Sequence, residues 1–442
     1  MPIRKSIKLL GCLSGLRQSA IVLLSISGFS LFTAYGAGLK DAAAKAYLNF
    51  GVATDRPSSF ASIITPEYNI LVCENAMKFA STEPTKGNFT FSGGDNVLSF
   101  ATTNGMKMRG HCLLWHAQTS AWIQSLNRTD MLAGLKEHIE GVLTHYKGKI
   151  LEWDVVNEAL SGGTNSFYAK TIGTGYIDTA FVYAHPADPG AYLYYNDYGG
   201  EGTGGRGDQI YNMVKTMQQN GIPIHGVGMQ CHFTNSIPST ISANIKRLGD
   251  LGLRVSLTEI DIANTSTNGA PWTALMQACL ENYNCTTFLV WGVHDGVSWR
   301  GSSCGCTIFD GQQKPKPAVY DALMSALNSA DPAVAEKRRA FANLSPTEIL
   351  QGKGKPVALN FKGAPRFRFI NNTLSYDLPT PQNVYMQIID MQGKTAVDLN
   401  LGTQISGTHT VRLTRQPLPA GLYFAKIKFG DQSMHIPFTL IN

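Results

Sequence analysis

Ile150-Leu151-Glu152-Trp153-Asp154-Val155-Val156-Asn157-Glu158-Ala159-Leu160 is the stretch from which the fold can be read. Apolar and β-branched residues run through it, and the polar pair Asn157-Glu158 ends it. A short run of this kind fits a strand covered on both faces, as in a parallel sheet. A carboxylate where such a strand stops is costly to bury unless something pairs with it or uses it. One Glu alone does not choose between an ion pair and chemistry. A second run, Arg254-Val255-Ser256-Leu257-Thr258-Glu259-Ile260-Asp261-Ile262, repeats the pattern with Glu259 near its end. Two such carboxylates, about a hundred residues apart, match an acid and nucleophile pair at the C-terminal strand ends of a (β/α)8 barrel.

Outward from these two runs, the chain alternates. Strand candidates fall at 50–54, 70–73, 106–112, 151–156, 191–195, 225–230, 254–258 and 287–291. Most are separated by enough chain for a helix. Gly221-Ile222-Pro223 and Leu251-Gly252-Leu253 read as helix stops before the sixth and seventh strands. This alternation predicts an α/β fold, a (β/α)8 TIM barrel over 37–327.

The chain has 442 residues, 43% hydrophobic and 15% charged, the balance of a globular protein with room for two domains. The formal net charge of +6 is mild, and Lys and Arg form no run dense enough for nucleic acid. Residues 1–36 read as an export signal. Arg4, Lys5, Lys8 and Arg17 come first, then an apolar stretch over 20–34, then small residues near Gly36. Leu9-Leu10-Gly11-Cys12 has the form of a lipoprotein box, but the apolar segment before it is short and holds Lys8. No later run is long enough to span a bilayer. The expected location is secreted or cell-surface.

The ordered motifs sharpen the chemistry. Glu158 lies in Trp153-Asp154-Val155-Val156-Asn157-Glu158, and Glu259 in Leu257-Thr258-Glu259-Ile260-Asp261. Glu74-Asn75-Ala76-Met77-Lys78, Arg109-Gly110-His111, Leu114-Trp115-His116, Tyr195-Asn196-Asp197-Tyr198, Gly228-Met229-Gln230-Cys231-His232 and Val290-Trp291-Gly292-Val293 accompany them in order. Together these resemble the family-10 glycoside hydrolases, the endo-β-1,4-xylanases, over about residues 40–327. The resemblance implies hydrolysis of xylan and xylo-oligosaccharides by a retaining, two-carboxylate mechanism without a cofactor, in a chain expected to act as a monomer. It makes Glu259 the nucleophile and Glu158 the acid, then the base. The charge on Glu259 disfavours a second charge on Glu158 until Glu259 is esterified. By the same resemblance Asn157 contacts the sugar's 2-hydroxyl, His232 donates to Glu259, Asp261 orients His232, and Gln230 supports them. Glu74, Asn75, Lys78, His111, Trp115 and Gln118 match glycone-side binding residues, with Trp115 an apolar wall and Glu74 paired with Lys78. Trp291 and Trp299 match two residues that line the sugar, and Tyr198 is a further binding candidate. Gly199-Gly200 after Tyr198, and His294-Asp295-Gly296 before Trp299, depart from the family's usual pattern, which leaves subsite preference open.

Export permits disulfides, and the resemblance implies a bridge between Cys279 and Cys285. Cys304 and Cys306 lie only two apart, and their state is open. Cys73, Cys112 and Cys231 read as small buried hydrophobes. No ligand set at recognised spacing points to a metal.

Residues 328–356 read as a linker with a local helix over 333–344. Residues 357–442 are β-patterned, with a hairpin turn at Met391-Gln392-Gly393-Lys394, and predict a small all-β sandwich. Leu418-Pro419-Ala420-Gly421-Leu422-Tyr423-Phe424 at the far C-terminus resembles sorting domains that serve an outer-surface secretion machinery. A carbohydrate-binding module is the alternative, against which stands the lack of Trp in this part. A β-1,4-glucanase and a non-catalytic sugar-binding barrel are the competing functions. The presence of both Glu158 and Glu259 argues against the second.

Overall fold

The structure, a computed structural model, describes residues 38–352, 366–370, 373–378, 380–390, 394–412, 421–429 and 432–440. The expected export signal over 1–36, with its lipoprotein-like stretch, lies outside the described residues. So do 353–356 of the expected linker, the turn residues 391–393 and the stretch 418–420.

Short, β-rich runs form the strands β1 Asn49–Ala53, β2 Ile70–Val72, β3 Lys107–Trp115, β4 Glu152–Asn157, β5 Tyr192–Asp197, β6 Gly226–Met229, β7 His232–Thr234, β8 Arg254–Ala263 and β9 Cys285–Val290. Strands β1 to β6 pair in sequence, all parallel, β6 pairs β8, β8 pairs β9, and β9 returns to β1. The ring is thus closed, as a (β/α)8 barrel requires. Strands β4, β5, β8 and β9 are buried at every position, because the barrel interior covers one face and helices cover the other.

The expected strands are all present within a few residues. Two are longer than expected. Strand β8 runs to Ala263 because β7, a short extension beyond β6, pairs with its far end. Strand β3 runs to Trp115, whose partner in register is Asn157. Helices follow the strands. Arg128–Tyr146 turns Met131, Leu135, Ile139, Val142 and Tyr146 inward, and the Asn127 side chain caps its first turn by accepting the Asp130 N–H. The helix Ile241–Asp250 stops where expected, at Gly252, whose φ of +78° needs a glycine.

The barrel interior carries charge. Arg109 bonds to both Glu152 and Asp154, all three fully buried, and the Ser256 and Thr287 hydroxyls donate to Glu152 at 3.3 and 3.2 Å. A buried ion pair of this kind is tolerable only where its remaining lone pairs are satisfied, as here.

The stretch expected as a linker carries helices as far as Leu350. After the helix Pro317–Asn328 come helices Pro332–Ala342 and Pro346–Leu350, both packed on the barrel. Arg338, fully buried, donates to the carbonyls of Ala46, Cys279, Leu280, Asn282 and Cys285. Tyr192 donates to the Leu344 carbonyl at 2.5 Å, and Ile349 packs on Tyr192 and Tyr194. The charge-rich composition reads as linker because the one Arg that matters is satisfied by backbone, a partner no side-chain pattern reveals.

Cys279 and Cys285 are bridged, as expected, with sulfurs 2.01 Å apart, and Cys304 is bonded to Cys306. Cys73, Cys112 and Cys231 are buried free thiols. No helix among the described residues is long and apolar enough to cross a membrane.

The C-terminal part forms two antiparallel sheets. Strands β10 Arg366–Ile370, β11 Thr373–Leu378 and β14 Gly407–Arg412 make one; β13 Thr395–Gln404, β12 Gln382–Asp390, β15 Gly421–Phe429 and β16 Gln432–Leu440 make the other, in that order. Alternate residues Val384, Met386 and Ile388 of β12 and Tyr423, Ala425, Ile427 and Phe429 of β15 meet Tyr376 and Leu378 of β11 in a core of their own.

Candidate active site

The C-terminal ends of the strands bring the predicted residues together. Glu158 follows the last residue of β4 and holds a left-handed backbone, φ +58°. Such a conformation costs a non-glycine residue about 1 kcal/mol or more and marks a position held by its surroundings. The holders are visible. The Glu158 carbonyl accepts the Gly162 and Gly163 N–H groups at 3.2 and 2.8 Å. Its own N–H donates to the Asn196 carbonyl at 2.9 Å. Just downstream, the Asp197 carboxylate accepts the Leu160 and Ser161 N–H groups and the Tyr195 hydroxyl.

The Glu158 carboxyl is held by neutral donors. Trp115 Nε1 donates to Oε2 at 2.8 Å, and Gln230 Nε2 to Oε1 at 3.0 Å. Asn157 Nδ2 lies 3.4 Å from Oε1. Trp115 is therefore more than the expected apolar wall, since its indole N–H fixes the candidate acid.

Glu259, on β8, has a different set of neighbours. Asn196 Nδ2 donates to Oε1 at 2.8 Å, His232 Nε2 stands 3.2 Å from Oε2, and His111 Nδ1 lies 3.9 Å from Oε1. The register that pairs His232 with Asp261 across β7 and β8 sets the other His232 nitrogen 2.8 Å from Asp261 Oδ2. Carboxylate oxygens only accept, so a ring with one at each nitrogen must donate twice, which only the imidazolium does. Burial opposes that charge, but the bonds to Asp261 and Glu259 outweigh it and push the His232 pKa up to about 10. His111 is likewise raised above the usual range. Burial opposes its charge, and the adjacent Cys112 sulfur, the hydrogen bond to Asp154 and the Glu259 charge prevail. Burial by itself raises the Glu259 pKa. The His232 hydrogen bond and the two imidazolium charges overcome it and hold the carboxyl below its ordinary value.

Asn196 joins the halves of the site. Its Nδ2 donates to Glu259 Oε1 and, at 2.9 Å, to Asn157 Oδ1, while its own oxygen accepts the Thr258 hydroxyl at 2.7 Å. Gln230 Nε2 also reaches Asn157 Oδ1, at 3.2 Å. With its oxygen doubly satisfied, Asn157 keeps its amide N–H groups for Glu158 and the cleft. Gly228 is required beneath Asn196, where a Cβ would stand 2.2 Å from the Asn196 oxygen. Neither Asn196 nor Asp197 is singled out by sequence reasoning, although both lie in the quoted Tyr-Asn-Asp-Tyr motif. A buried strand-end amide carries no signal until its partners are known.

Around Asp261, Trp299 Nε1 donates at 2.8 Å and Arg300 Nη1 at 2.7 Å. Trp299 is 58% exposed, a wall over the cleft tied down at its N–H, while Trp291 is buried with its edge against His111. On the opposite flank, Lys78 Nζ donates to Asn75 Oδ1 at 2.9 Å and to Gln118 Oε1 at 2.6 Å, and lies 4.8 Å from the Trp115 ring centre. The expected pairing of Lys78 with Glu74 is thus replaced by one with Asn75 and Gln118. Glu74 is raised above its ordinary value by burial and by the Asp55 charge, against the lesser effects of Lys78 and Arg56. Tyr198 stands apart, exposed and stacked under Arg206. Among the described residues no group of three or more His, Cys, Asp or Glu could hold a metal ion.

Comparisons with known proteins show the family to which the barrel belongs. The model of the family described as "Glycosyl hydrolase family 10" matches residues 38–326. Endo-1,4-beta-xylanase A of Thermoanaerobacterium saccharolyticum is 36% identical over 342 residues, covering 70% of this chain and 28% of that protein. Exoglucanase XynX of Acetivibrio thermocellus is also 36% identical over 342 residues, covering 70% of this chain and 30% of that protein. The chain thus spans under a third of the length of these two relatives. Among solved structures, native xylanase 10B from Thermotoga maritima superposes with a TM-score of 0.63 at 30% identity, over 68% of this chain and 99% of that one. A mutant of the intracellular xylanase of Thermoanaerobacterium saccharolyticum, in complex with xylotriose, gives 0.61 at 35% identity, over 66% and 99%. Over residues 38–326 this chain belongs to glycosyl hydrolase family 10.

Proposed function

We propose that the protein is an exported, retaining endo-β-1,4-xylanase. The observation that carries this reading is the contrast between the two carboxyls. Glu259 is flanked by two imidazolium rings and an amide, which favour the carboxylate. The hydrogen-bond partners of the Glu158 carboxyl are the neutral N–H groups of Trp115, Gln230 and Asn157, with no cation among them.

In the first step the Glu259 carboxylate attacks the anomeric carbon. The bond to the leaving oxygen breaks, and that oxygen takes the Glu158 proton. The His232 hydrogen bond and the His111 and His232 charges keep Glu259 in the ionised form that supplies the attacking electron pair. In the second step Glu158, now ionised, takes a proton from water. The water oxygen bonds to the anomeric carbon, and the bond to Glu259 breaks. Asn157 donates to the 2-hydroxyl, and Glu74, Asn75, Lys78, His111, Trp115, Gln118, Trp291 and Trp299 hold the glycone. Two inversions leave the product in the configuration of the substrate.

The xylanase names and sugar complexes of the relatives support xylan as substrate; the relative named an exoglucanase supports β-1,4-glucan as the second reading. Wheat-arabinoxylan viscosity and reducing-end release, run beside carboxymethylcellulose, test both. A fast viscosity drop on xylan alone, with β-anomeric product seen first by NMR, is expected. An α product, or preference for the cellulose derivative, would overturn the reading.

Residues 357–442 are proposed as a sorting domain for surface secretion. Their antiparallel sheets and the lack of Trp support this reading. The full chain and a chain ending at Gly352, compared for surface delivery in the native host and for retention on insoluble xylan, separate sorting from sugar binding.

A further inference from the structure

The loop after β1 carries a cation that the two-carboxylate chemistry does not use. Thr54, Asp55 and Arg56 leave the barrel rim beside Glu74 and Asn75. The loop is fixed. The Arg56 N–H donates to the Thr54 hydroxyl at 3.1 Å. The Asp55 carboxylate accepts the Asn75 N–H at 3.0 Å and the Ala76 N–H at 3.1 Å. The Arg56 guanidinium projects from this rigid base with its carbon 6.0 Å from the Phe60 ring centre. Among the described residues it forms no ion pair within 4 Å.

Two cavities meet at this side chain. One, of about 350 Å³, is lined by Arg56, Glu74, Asn75, Gly292 and Val293, and so opens beside the glycone-binding residues and the turn after Trp291. The other, of about 550 Å³, lies between the same loop and the helix Ser92–Thr103. Ser58, Ser59, Asn96, Ser99 and Asn104 give it a wall of hydroxyls and amides. Each is roomy enough for a single sugar ring. The polar wall suits hydroxyls, and a planar guanidinium suits a carboxylate, which it can grip with two parallel N–H groups. The negative charges nearest by are Asp55 and Glu74. Asp55 lines both cavities but is engaged by two backbone N–H groups, and Glu74 lines the smaller one, on the glycone side of Arg56.

We propose that Arg56 and the polar cavity beside it form a side pocket for an acidic sugar, a uronate branching from the glycone part of the main chain. This rests on the xylanase reading above and narrows it to a backbone carrying uronic acid groups. The main-chain sugar bound by Glu74 and Asn75 directs its branch past Arg56, and the carboxylate of that branch pairs with the guanidinium. Branches without a carboxylate gain the hydroxyl wall but not the ion pair.

The test compares the wild type with Arg56→Gln on three substrates. These are linear xylotetraose, a xylotetraose bearing a glucuronic acid branch on its glycone half, and one bearing an arabinose branch at the same place. The wild type is expected to prefer the uronate substrate. Arg56→Gln should lower kcat/KM on that substrate alone by about 5- to 10-fold, the worth of one charge-assisted pair at a partly exposed site. The two neutral substrates should change less than about 2-fold. The wild-type preference should also shrink as salt rises from 20 to about 500 mM, since screening weakens such a pair. Equal losses on all three substrates, or a loss on the arabinose substrate only, would overturn the proposal while leaving the xylanase reading intact. No turnover of linear xylotetraose by the wild type would instead overturn that earlier reading.

Discussion

His225 and His232 lie at opposite ends of the same strand course, and the barrel treats them in opposite ways. At the C-terminal end, both nitrogens of His232 face carboxylates, and its pKa is pushed up to about 10. At the N-terminal end, His225 Nδ1 accepts the Leu193 N–H at 2.9 Å, and among the described residues its buried Nε2 has no partner. Burial, with His185 and Arg254 close by, pushes its pKa down to about 3. The difference extends to the other buried groups. At the rim of the cleft, buried cations are matched by carboxylates that still have lone pairs to offer a substrate. At the base, the buried Arg338 is matched by backbone carbonyls and offers nothing further. One end of the barrel is arranged for chemistry and the other for cohesion.

The largest effect should come from the cleft. Glu259→Ala removes the proposed nucleophile, which every substrate would need, and turnover should fall by roughly 10⁴-fold or more. Glu158→Ala should be as slow on xylan. On an aryl xylobioside with an acidic phenol its first step should stay fast, and an initial burst should appear because the second step lacks its base. Azide should then restore turnover of Glu158→Ala with a β-glycosyl azide, whereas Glu259→Ala should give the α product. Swapped azide products would reverse the roles.

The base should respond in stability, not chemistry. Arg338→Met leaves the carbonyls of Ala46, Cys279, Leu280, Asn282 and Cys285 without their donor. The cost should be about 3 kcal/mol or more in urea unfolding. A chain ending at Asn328, where the quoted motifs are already complete, should be destabilised at least as much. A chain ending at Gly352 should keep the wild-type unfolding midpoint of the barrel and its activity on soluble xylan. Equal stability of the two shortened chains would show that the helices Pro332–Ala342 and Pro346–Leu350 merely rest on the surface.

That contrast also marks what the sequence could reveal. The strands were legible because a strand buried on both faces must be a short apolar run, and its length limits the alternatives. Glu158 and Glu259 stood out because a carboxylate near the end of such a run is costly, but their expected roles came from the resemblance of the motifs around them to family 10. Asn196 and Asp197 were in plain sight but silent, since their meaning lies in partners on β4 and β8 and in the loop after Glu158. A helix over 333–344 was expected, close to the observed Pro332–Ala342, but its docking on the barrel was hidden for a related reason. Arg338 looks like one charge among several in Glu336-Lys337-Arg338-Arg339, and only the carbonyls of the disulfide loop single it out. The all-β character of the C-terminal part was readable from alternation, because one face of each strand there meets a core.

The two histidines give a pH test of intermediate size. His225 is held neutral in the fold, whereas in the unfolded chain it takes up a proton near 6.5. Its contribution is complete above pH 6.5 and is lost progressively as pH falls from there toward 3. By pH 5 the loss should reach about 2 kcal/mol. His232 has the opposite sign. Its folded pKa lies above the unfolded value, so its contribution is complete below 6.5 and drains away as pH rises toward 10. His225→Gln keeps an acceptor for the Leu193 N–H but cannot titrate, and should flatten the acid side of the stability profile. An unchanged acid slope in that variant would mean that another group sets it.

The smallest effect expected is the one that best separates positioning from cohesion within the cleft itself. Asp197 touches neither carboxyl of the pair. Its Oδ2 accepts the Tyr195 hydroxyl at 2.5 Å and the Leu160 and Ser161 N–H groups at 3.2 and 3.3 Å, and its Oδ1 accepts the Tyr198 N–H at 2.8 Å. Through Leu160 and Ser161 it grips the turn that keeps Glu158 in its left-handed conformation. Asp197→Asn must turn its amide N–H groups toward at least one of these donors, which loosens the grip without emptying the site. A displaced Glu158 delivers its proton poorly, while Glu259, fixed from other strands, attacks as before. Turnover of xylan should therefore fall by about 10-fold, which corresponds to about 1.4 kcal/mol of barrier. The first step on an aryl xylobioside with an acidic phenol should change little, because that leaving group does not need the proton. If both substrates slow alike, or if only the melting temperature moves, Asp197 is holding the fold together and not aiming the acid.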